Sequence, residues 1–372
     1  MTARTVGGAE IYVERLTTAL AGACGFTVAL SDHPEVAGLG RRLAGHAEVL
    51  TFPFDRTGAL PAVTRSLRHL GRAADVVHLN SNHPGSRLGI LMGFALPGCG
   101  RPVVCVEQGA SPIAAVEVPG SIAWALPMLF RWSRRSVTQL VAVSEENKRT
   151  LVDLYRLPAG KITVVHNGAD LTPFRNPSPG TLRAELGLTP DQPLVIVLGR
   201  LAANKGQRFL VEAAPAILAR FPTTHFVFAG NPEGRGDIEA RIRALNLEPH
   251  FSLLGFRSDV VNLLCSSDVF VLPSLAEGFS LSIVEALAAG LPVVATRVGG
   301  AAEIIDEGRN GFLVPPADAP ALSEAVIRVL GSTPEEREGV RRAARETAQR
   351  FSFEATARGV LDVYRQVLAS TP

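Results

Sequence analysis

The stretch VFVLPSLAEGFSLSIVEALAAG, Val269–Gly290, decides how the rest of the chain is read. VFVL is an unbroken run of β-formers, the pattern of a strand covered on both faces. SIVEALAA reads as a helix stopped by Gly290 in the C-terminal cap position. The residues from Pro273 to Leu281 are therefore a strand-to-helix turn, and open α/β sheets bind ligands at such strand ends. Two carboxylates, Glu277 and Glu285, sit eight positions apart among small and apolar residues. A charge taken out of water needs a partner, so each glutamate faces either solvent or a hydroxyl-bearing ligand. Spacing alone leaves both readings open. The first helical turn offers unpaired N–H groups and a positive dipole end to a phosphate, and Gly278 permits close backbone approach. Phosphates at the helix start, with sugar hydroxyls on the two carboxylates, describe a nucleotide sugar.

The same alternation extends in both directions. Strand-like runs DVVHL, RPVVCVE, QLVAVS, ITVVHN, LVIVLG, HFVFAG, VFVLPS and LPVVATR begin at residues 75, 101, 139, 162, 194, 225, 269 and 291, and helical patterns follow most of them. This is the signature of parallel, doubly wound α/β sheets, with too many strands for one sheet of ordinary size. Two Rossmann-like domains are expected, 1–172 and 173–352, separated by a Pro- and Gly-rich linker near 168–190. The final segment, 353–372, holds the amphipathic helix FEATARGVLDVYRQVL. One element is wanting. The turn Val6-Gly7-Gly8-Ala9 has only MTART before it, too short and polar for a central strand. The first strand is expected to be missing, through a misplaced start, truncation or decay.

Composition excludes several classes. The chain has 372 residues, 47% hydrophobic and 19% charged. No apolar run approaches the roughly 18–20 residues of a membrane span, and the N-terminus lacks the apolar core of a signal peptide. The four cysteines form no CxxC pair, as in a reduced, cytoplasmic protein. A net charge of +2 gives no argument for nucleic acid. HExxH, clustered cysteines and DxD are all absent, so no metal is implied. Only three of the 37 cationic residues are lysines, and Lys205 is one of them. It lies with Arg200 in LVIVLGRLAANKGQRFLVEAA, in the loop after a strand. Arg forks onto phosphate oxygens and Lys adds a compact charge, so this loop suits a diphosphate, although it is no Walker loop. The alternative is an ordinary loop with surface cations.

GGAE (7–10), VAVSEENK (141–148), NGAD (167–170), GRLAANKG (199–206), LPSLAEGFSLSIVEALAAGLPVVAT (272–296) and VGGAAEII (298–305) occur in the order seen in family 4 glycosyltransferases. Across nearly its whole length the chain resembles a retaining enzyme of the GT-B fold, two Rossmann-like domains with a C-terminal helix that returns to the N-terminal one. The resemblance implies that Arg200 and Lys205 hold the donor diphosphate and that Glu277 contacts the donor sugar, the three forming the catalytic set. It implies that Glu285 contacts the ribose, with backbone amides at Gly278, Phe279, Ser280 and Leu281 assisting. Gly7 and Gly8 resemble a loop closing over the phosphates. Gln108, in PVVCVEQGASP, stands where the family usually has histidine. Glutamine bonds hydroxyls and takes up no proton at neutral pH. His78 and His83, in DVVHLNSNHPG, are weaker candidates for acceptor or sugar contact.

The expected activity is transfer of a sugar from a UDP-, GDP- or ADP-sugar to a hydroxyl acceptor, lipid-linked acceptors included, without metal or other cofactor. The resemblance points to cell-envelope polysaccharide or glycolipid assembly. A soluble enzyme of secondary metabolism and a non-catalytic nucleotide-sugar-binding protein are the alternatives. Both tryptophans lie in SIAWALPMLFRWSRRSV (121–137) beside Phe130, Arg131, Arg134 and Arg135, and residues 1–172 carry 17 cationic against 13 acidic side chains. Aromatics beside arginines suit the inner face of an anionic membrane and equally a core helix with a cationic end. The expected location is cytoplasmic, extending to that face.

Overall fold

The computed structural model describes residues 8–54, 56–81, 96–97, 99–109 and 126–370. The chain divides into two compact units, Met1–Asn167 with Phe353–Pro372, and Gly168–Ser352.

In the first unit, α1 (Gly8–Leu20) is followed by β1 (Thr27–Ser31), α2 (Ala37–Leu43), β2 (Glu48–Phe52), α3 (Leu60–Ala73) and β3 (Val77–Ser81). Then come β4 (Val103–Glu107), α4 (Leu126–Ser133), β5 (Gln139–Ala142), α5 (Glu145–Asp153) and β6 (Ile162–Val164). All ladders are parallel. Among the described residues these strands form two sheets, β1-β2 and β3-β4-β5-β6, and not a single one. The expected absence of a first strand concerns residues 1–7, which lie outside the described residues. β4 and β5 are buried along their whole length, as strands covered on both faces are.

The second unit runs α6 (Leu182–Glu185), β7 (Leu194–Leu198), α7 (Gln207–Arg220), β8 (His225–Ala229), α8 (Arg235–Ala244), β9 (Phe251–Gly255), α9 (Val260–Cys265) and β10 (Val269–Leu272). It continues with α10 (Leu281–Ala289), β11 (Val293–Thr296), α11 (Ala301–Ile304), β12 (Gly311–Val314), α12 (Ala319–Leu330) and α13 (Pro334–Arg350). Its six strands form one parallel sheet of order β12-β11-β10-β7-β8-β9. The order reverses between β7 and β10, neighbours in space though about 70 residues apart in sequence. Asp268 locks that neighbourhood: its carboxylate accepts from the Leu194 amide at 2.8 Å and from Arg183 at 2.6 Å. The core is built on both faces of the sheet, with Phe226 stacked on Phe251 at 4.7 Å.

The chain then returns to the first unit as α14 (Phe353–Ala369). Its buried residues, Phe353, Thr356, Ala357, Val360, Val363, Tyr364 and Val367, recur every three or four positions. Tyr12 of α1 meets Phe353 edge-on at 5.9 Å, and Tyr364 bonds Nδ1 of His78 on β3 at 2.6 Å.

This last contact corrects one expectation. His78 lies in β3, packed between Tyr12 and Tyr364, and anchors a helix instead of reaching for a ligand. Burial pushes its pKa down to about 4 from 6.5. Between pH 4 and 6.5 the unfolded chain therefore takes up a proton that the folded chain does not. The contribution of His78 to stability is complete above pH 6.5 and is lost as pH falls toward 4. Thermal melting should show the midpoint dropping across that window, with a shallower drop in His78→Gln. Equal slopes would show that the ring is open to protonation in the fold.

A second constraint lies where the loop after β7 meets the loop after β10. Gly206 has φ +65°, and a Cβ there would lie 1.9 Å from the Pro273 carbonyl oxygen. Gly206→Ala should lower stability by at least the roughly 1–3 kcal/mol of a strained backbone, with the clash added. A calorimetric melting temperature unchanged from wild type would contradict this packing.

Candidate functional site

The second unit gathers its chemistry at the carboxyl ends of β7 and β10. The β7 loop is short and rigid. Ala203–Lys205 form a 3-10 turn, and left-handed Gly206 opens α7. The buried Gln207 side chain donates to the Arg200 carbonyl at 2.7 Å, closing the loop on itself. The Leu275 amide donates to the Asn204 carbonyl at 2.8 Å, tying the β7 loop to the β10 loop.

Across that tie Lys205 Nζ meets Glu277 Oε1 at 2.6 Å. The same oxygen accepts from the fully buried Ser274 hydroxyl at 2.7 Å, and the Ser274 carbonyl accepts from Thr296 Oγ1 at 2.5 Å. The carboxylate is thus held at one oxygen by a cation and a hydroxyl. The Lys205 and Glu277 side chains retain 22% and 10% exposure, so the pair sits partly open to solvent and not sealed in the core. Gly299 supports this turn from behind. With φ +56°, its absent Cβ would stand 2.6 Å from the Glu277 carbonyl oxygen, and Gly300 N–H donates to Gly278 O at 3.0 Å.

Ser280 precedes α10 but makes no capping bond; its hydroxyl instead lies 3.0 Å from that of Ser282. The first-turn amides of α10 therefore receive no acceptor from their cap residue and stand available to an anion. Phe279 is buried against Phe351 at 5.5 Å, which fixes the backbone of that turn. Leu281 opens the helix, and half-buried Glu285 follows one turn later. Arg200 projects outward, paired with Glu233 at 2.8 Å, both side chains more than half exposed. Such a pair is weakly held and exchanges easily for a stronger anion. Arg200, Lys205, Glu277 and the α10 start thus belong to one sheet edge.

The first unit holds a separate polar cluster at the carboxyl edge of its four-stranded sheet. Gln108, directly after β4, donates from Nε2 to Asn80 Oδ1 at 3.0 Å and accepts at Oε1 from Asn167 Nδ2 at 2.6 Å. Its backbone N–H donates to Ser81 O at 2.8 Å. Behind it Glu107 and Arg134 form a buried ion pair at 2.5 Å, with side chains 2% and 1% exposed. Arg134 also donates to the hydroxyls of Ser81 and Ser133, and the Cys105 thiol to Glu107 at 3.2 Å. Burial and the Glu107 charge push that thiol well above its ordinary value, so it stays protonated.

Two of the expected residues, Gly7 and His83, lie outside the described residues, and Gly8 is the first residue of α1. The aromatic-cationic stretch 121–137 is corrected in part. Phe130 and Arg134 are buried, so that face keeps Arg131, Arg135, half-buried Trp132 and Met128, which is 64% exposed. Sequence reasoning assigned no role to Ser274, Glu233, Asn80 or Asn167. Asn167 stood inside a quoted motif, yet only the fold reveals its bond to Gln108, 59 residues earlier.

Residues 6–172 match the family model described as Glycosyltransferase Family 4, and residues 192–332 the model described as Glycosyl transferases group 1. The D-inositol 3-phosphate glycosyltransferase of Saccharomonospora viridis is 34% identical over 244 residues, 62% of this chain and 56% of that protein. The UDP-Gal:alpha-D-GlcNAc-diphosphoundecaprenol alpha-1,3-galactosyltransferase of Escherichia coli is 31% identical over 264 residues, 68% of this chain and 66% of that protein. The matches thus span between about half and two thirds of these relatives. Among solved structures, Anabaena HepE in complex with UDP superposes with TM-score 0.82 at 22% identity, over 98% of both chains. WaaG, a glycosyltransferase involved in lipopolysaccharide biosynthesis, gives 0.73 at 18% identity over 98% of this chain and 97% of its own. At these identities the superpositions establish the GT-B fold. The two sequence models leave little of the chain uncovered, and the protein belongs to the family 4 glycosyltransferases.

Proposed function

We propose that the chain is a retaining glycosyltransferase that moves a sugar from a uridine diphospho-sugar to a hydroxyl acceptor in cell-envelope polysaccharide or glycolipid assembly. The observation that carries this reading is the Lys205–Glu277 pair beside the uncapped start of α10. An arriving diphosphate takes Lys205, Arg200 and the helix amides, and the released Glu277 carboxylate accepts from the hydroxyls of the sugar. Glu285, one turn into α10, serves the ribose. The cations and the helix dipole stabilise charge on the departing diphosphate, so no metal is required.

In the transfer, the bond from the anomeric carbon to the diphosphate oxygen breaks. The acceptor oxygen forms its bond to the same face, and its proton passes to the leaving phosphate oxygen. The proton therefore needs no histidine at position 108. The choice of uridine is supported by the UDP held by HepE and by the UDP-Gal named for the Escherichia coli relative. That relative's diphosphoundecaprenol acceptor supports a lipid-linked acceptor here. No helix among the described residues is long and apolar enough to cross a membrane. Contact with a membrane face would run through Met128, Arg131 and Arg135. Anionic vesicles should bind the protein at low salt and release it at high salt; no binding at low salt would exclude the contact.

Isothermal titration of UDP, GDP and ADP tests the donor site. UDP should bind, and Arg200→Ala/Lys205→Ala should weaken it roughly 100-fold or more, the loss of two charge-assisted contacts. Binding of GDP or ADP in its place would change the base assigned. No binding of any nucleotide would refute the donor reading. Glu277→Ala should abolish transfer while UDP still binds, whereas Glu285→Ala should chiefly raise the donor Kd. Chelation by EDTA should leave turnover unchanged.

A further inference from the structure

Among the described residues one carboxylate, Glu233, reaches the Arg200 guanidinium, at 2.8 Å. It comes from the turn Asn231-Pro232-Glu233-Gly234, between β8 and α8. Two main-chain bonds pin that turn to the residue after Arg200. The Leu201 N–H donates to the Asn231 carbonyl at 2.9 Å, and the Gly234 N–H donates to the Leu201 carbonyl at 2.5 Å. The approach leaves no space for side chains. A Cβ at Gly234 would stand 2.7 Å from the Leu201 oxygen, and one at Gly230 would stand 2.0 Å from the Gly199 oxygen. Between the two anchors Pro232 fixes its own φ, and its carbonyl accepts from the Arg235 N–H at 3.1 Å. A fixed backbone therefore delivers Glu233 to Arg200, where two long surface side chains would otherwise meet only by losing their rotamer freedom.

A carboxylate on a cation that binds anions acts twice. In the empty site it holds the guanidinium, and an arriving phosphate must displace it. Once displaced, it stays on its pinned turn near the new negative charge and repels it. Both effects weaken the hold on nucleotide. Glu277 differs, since it exchanges Lys205 for hydrogen bonds from the sugar. Glu233 has no ligand group to gain, so its displacement is a net cost of binding.

We infer that Glu233 is a resident counter-ion that competes with the donor diphosphate for Arg200 and so sets how tightly the site holds nucleotide. This rests on the glycosyl-transfer reading above and adds a control element to the same site. The donor and the spent nucleoside diphosphate are weakened alike, because both present phosphate to Arg200. Glu233 thus raises the Kd of both without touching the reacting atoms.

The test is isothermal titration of the full chain at low salt with UDP and with inorganic pyrophosphate. Glu233→Gln should tighten both about two- to fivefold, the scale of an exposed ion pair. Glu233→Lys, which adds a cation, should tighten them about tenfold or more. A gain of affinity is a result that damage to the fold does not produce. At about 0.5 M salt the gains should shrink. In an Arg200→Ala background the Glu233→Gln gain should fall below about twofold, because the contested cation is gone. Glu239→Gln removes the same charge from α8, where Glu239 pairs with Arg235 at 2.6 Å, and should leave both Kd values unchanged. Unchanged or weaker binding in Glu233→Gln, a full gain without Arg200, or an equal gain in Glu239→Gln would each overturn the inference. Wild type that binds pyrophosphate and not UDP would count against the nucleotide reading alone, and the pyrophosphate series would still decide the role of Glu233. Wild type that binds neither would overturn both.

Discussion

The second unit depends on β7 and β10 lying side by side. Their ladder joins Val195 to Val269 and Ile196 to Phe270, and Asp268 clamps its start by holding both the Leu194 amide and Arg183. A parallel ladder fixes register, so the loops leaving the two strands emerge at one level. Everything chemical in the unit follows from that level. Leu275 can bond Asn204, Gly206 can graze Pro273, and an ammonium can reach a carboxylate 72 residues away. This is the switch point of the sheet order, where the connecting helices part to opposite faces and leave the strand ends uncovered. A slip of one residue between these strands would separate Lys205 from Glu277 by about 3.3 Å and turn alternate side chains to the wrong face.

The fold was readable where strands are buried on both faces, because burial demands unbroken apolar runs. β4, β5, β7, β8, β10 and β11 stand out in the sequence for that reason. The runs TVALS, EVLTF, FSLLG and GFLV, which became β1, β2, β9 and β12, are less distinct. β2, β9 and β12 are edge strands with partly exposed faces; β2 and β9 mix polar and apolar residues as edges permit, and β12 is short and opens on glycine. The residues gathered at the ends of β7 and β10 were legible because glycines, cations and carboxylates cluster in the turns that follow those strands. The amide cluster around Gln108 was not. Its members come from three separate strand ends, and asparagine at a strand end is ordinary turn chemistry until the fold brings the ends together. Arg134 was misplaced for a related reason: sequence shows the arginine, while only the fold shows Glu107 waiting for it in the interior.

The two units thus use opposite electrostatic strategies. The second keeps one exposed, exchangeable pair at its surface, Arg200 with Glu233, and a partly buried one beneath it, Lys205 with Glu277. At its sheet edge the first encloses charge in the neutral Glu107–Arg134 pair beside half-buried carboxamides. Exposed ion pairs contribute little to stability, so trading them for a ligand costs the fold little. Breaking the buried Glu107–Arg134 pair would strand a charge in the interior, so this element serves as a fixed support and not as a part that exchanges.

The Lys205–Glu277 contact also bears on the end of the catalytic cycle. On the donor geometry proposed here, Glu277 leaves Lys205 only while sugar hydroxyls occupy its oxygens. Once the sugar has gone, the carboxylate competes again for the same ammonium and withdraws one cation from the spent nucleotide. The empty sugar subsite thereby loosens the diphosphate next to it. On that geometry the protein would gain a bias toward product release, arising from two side chains that cannot both keep their ligands after transfer.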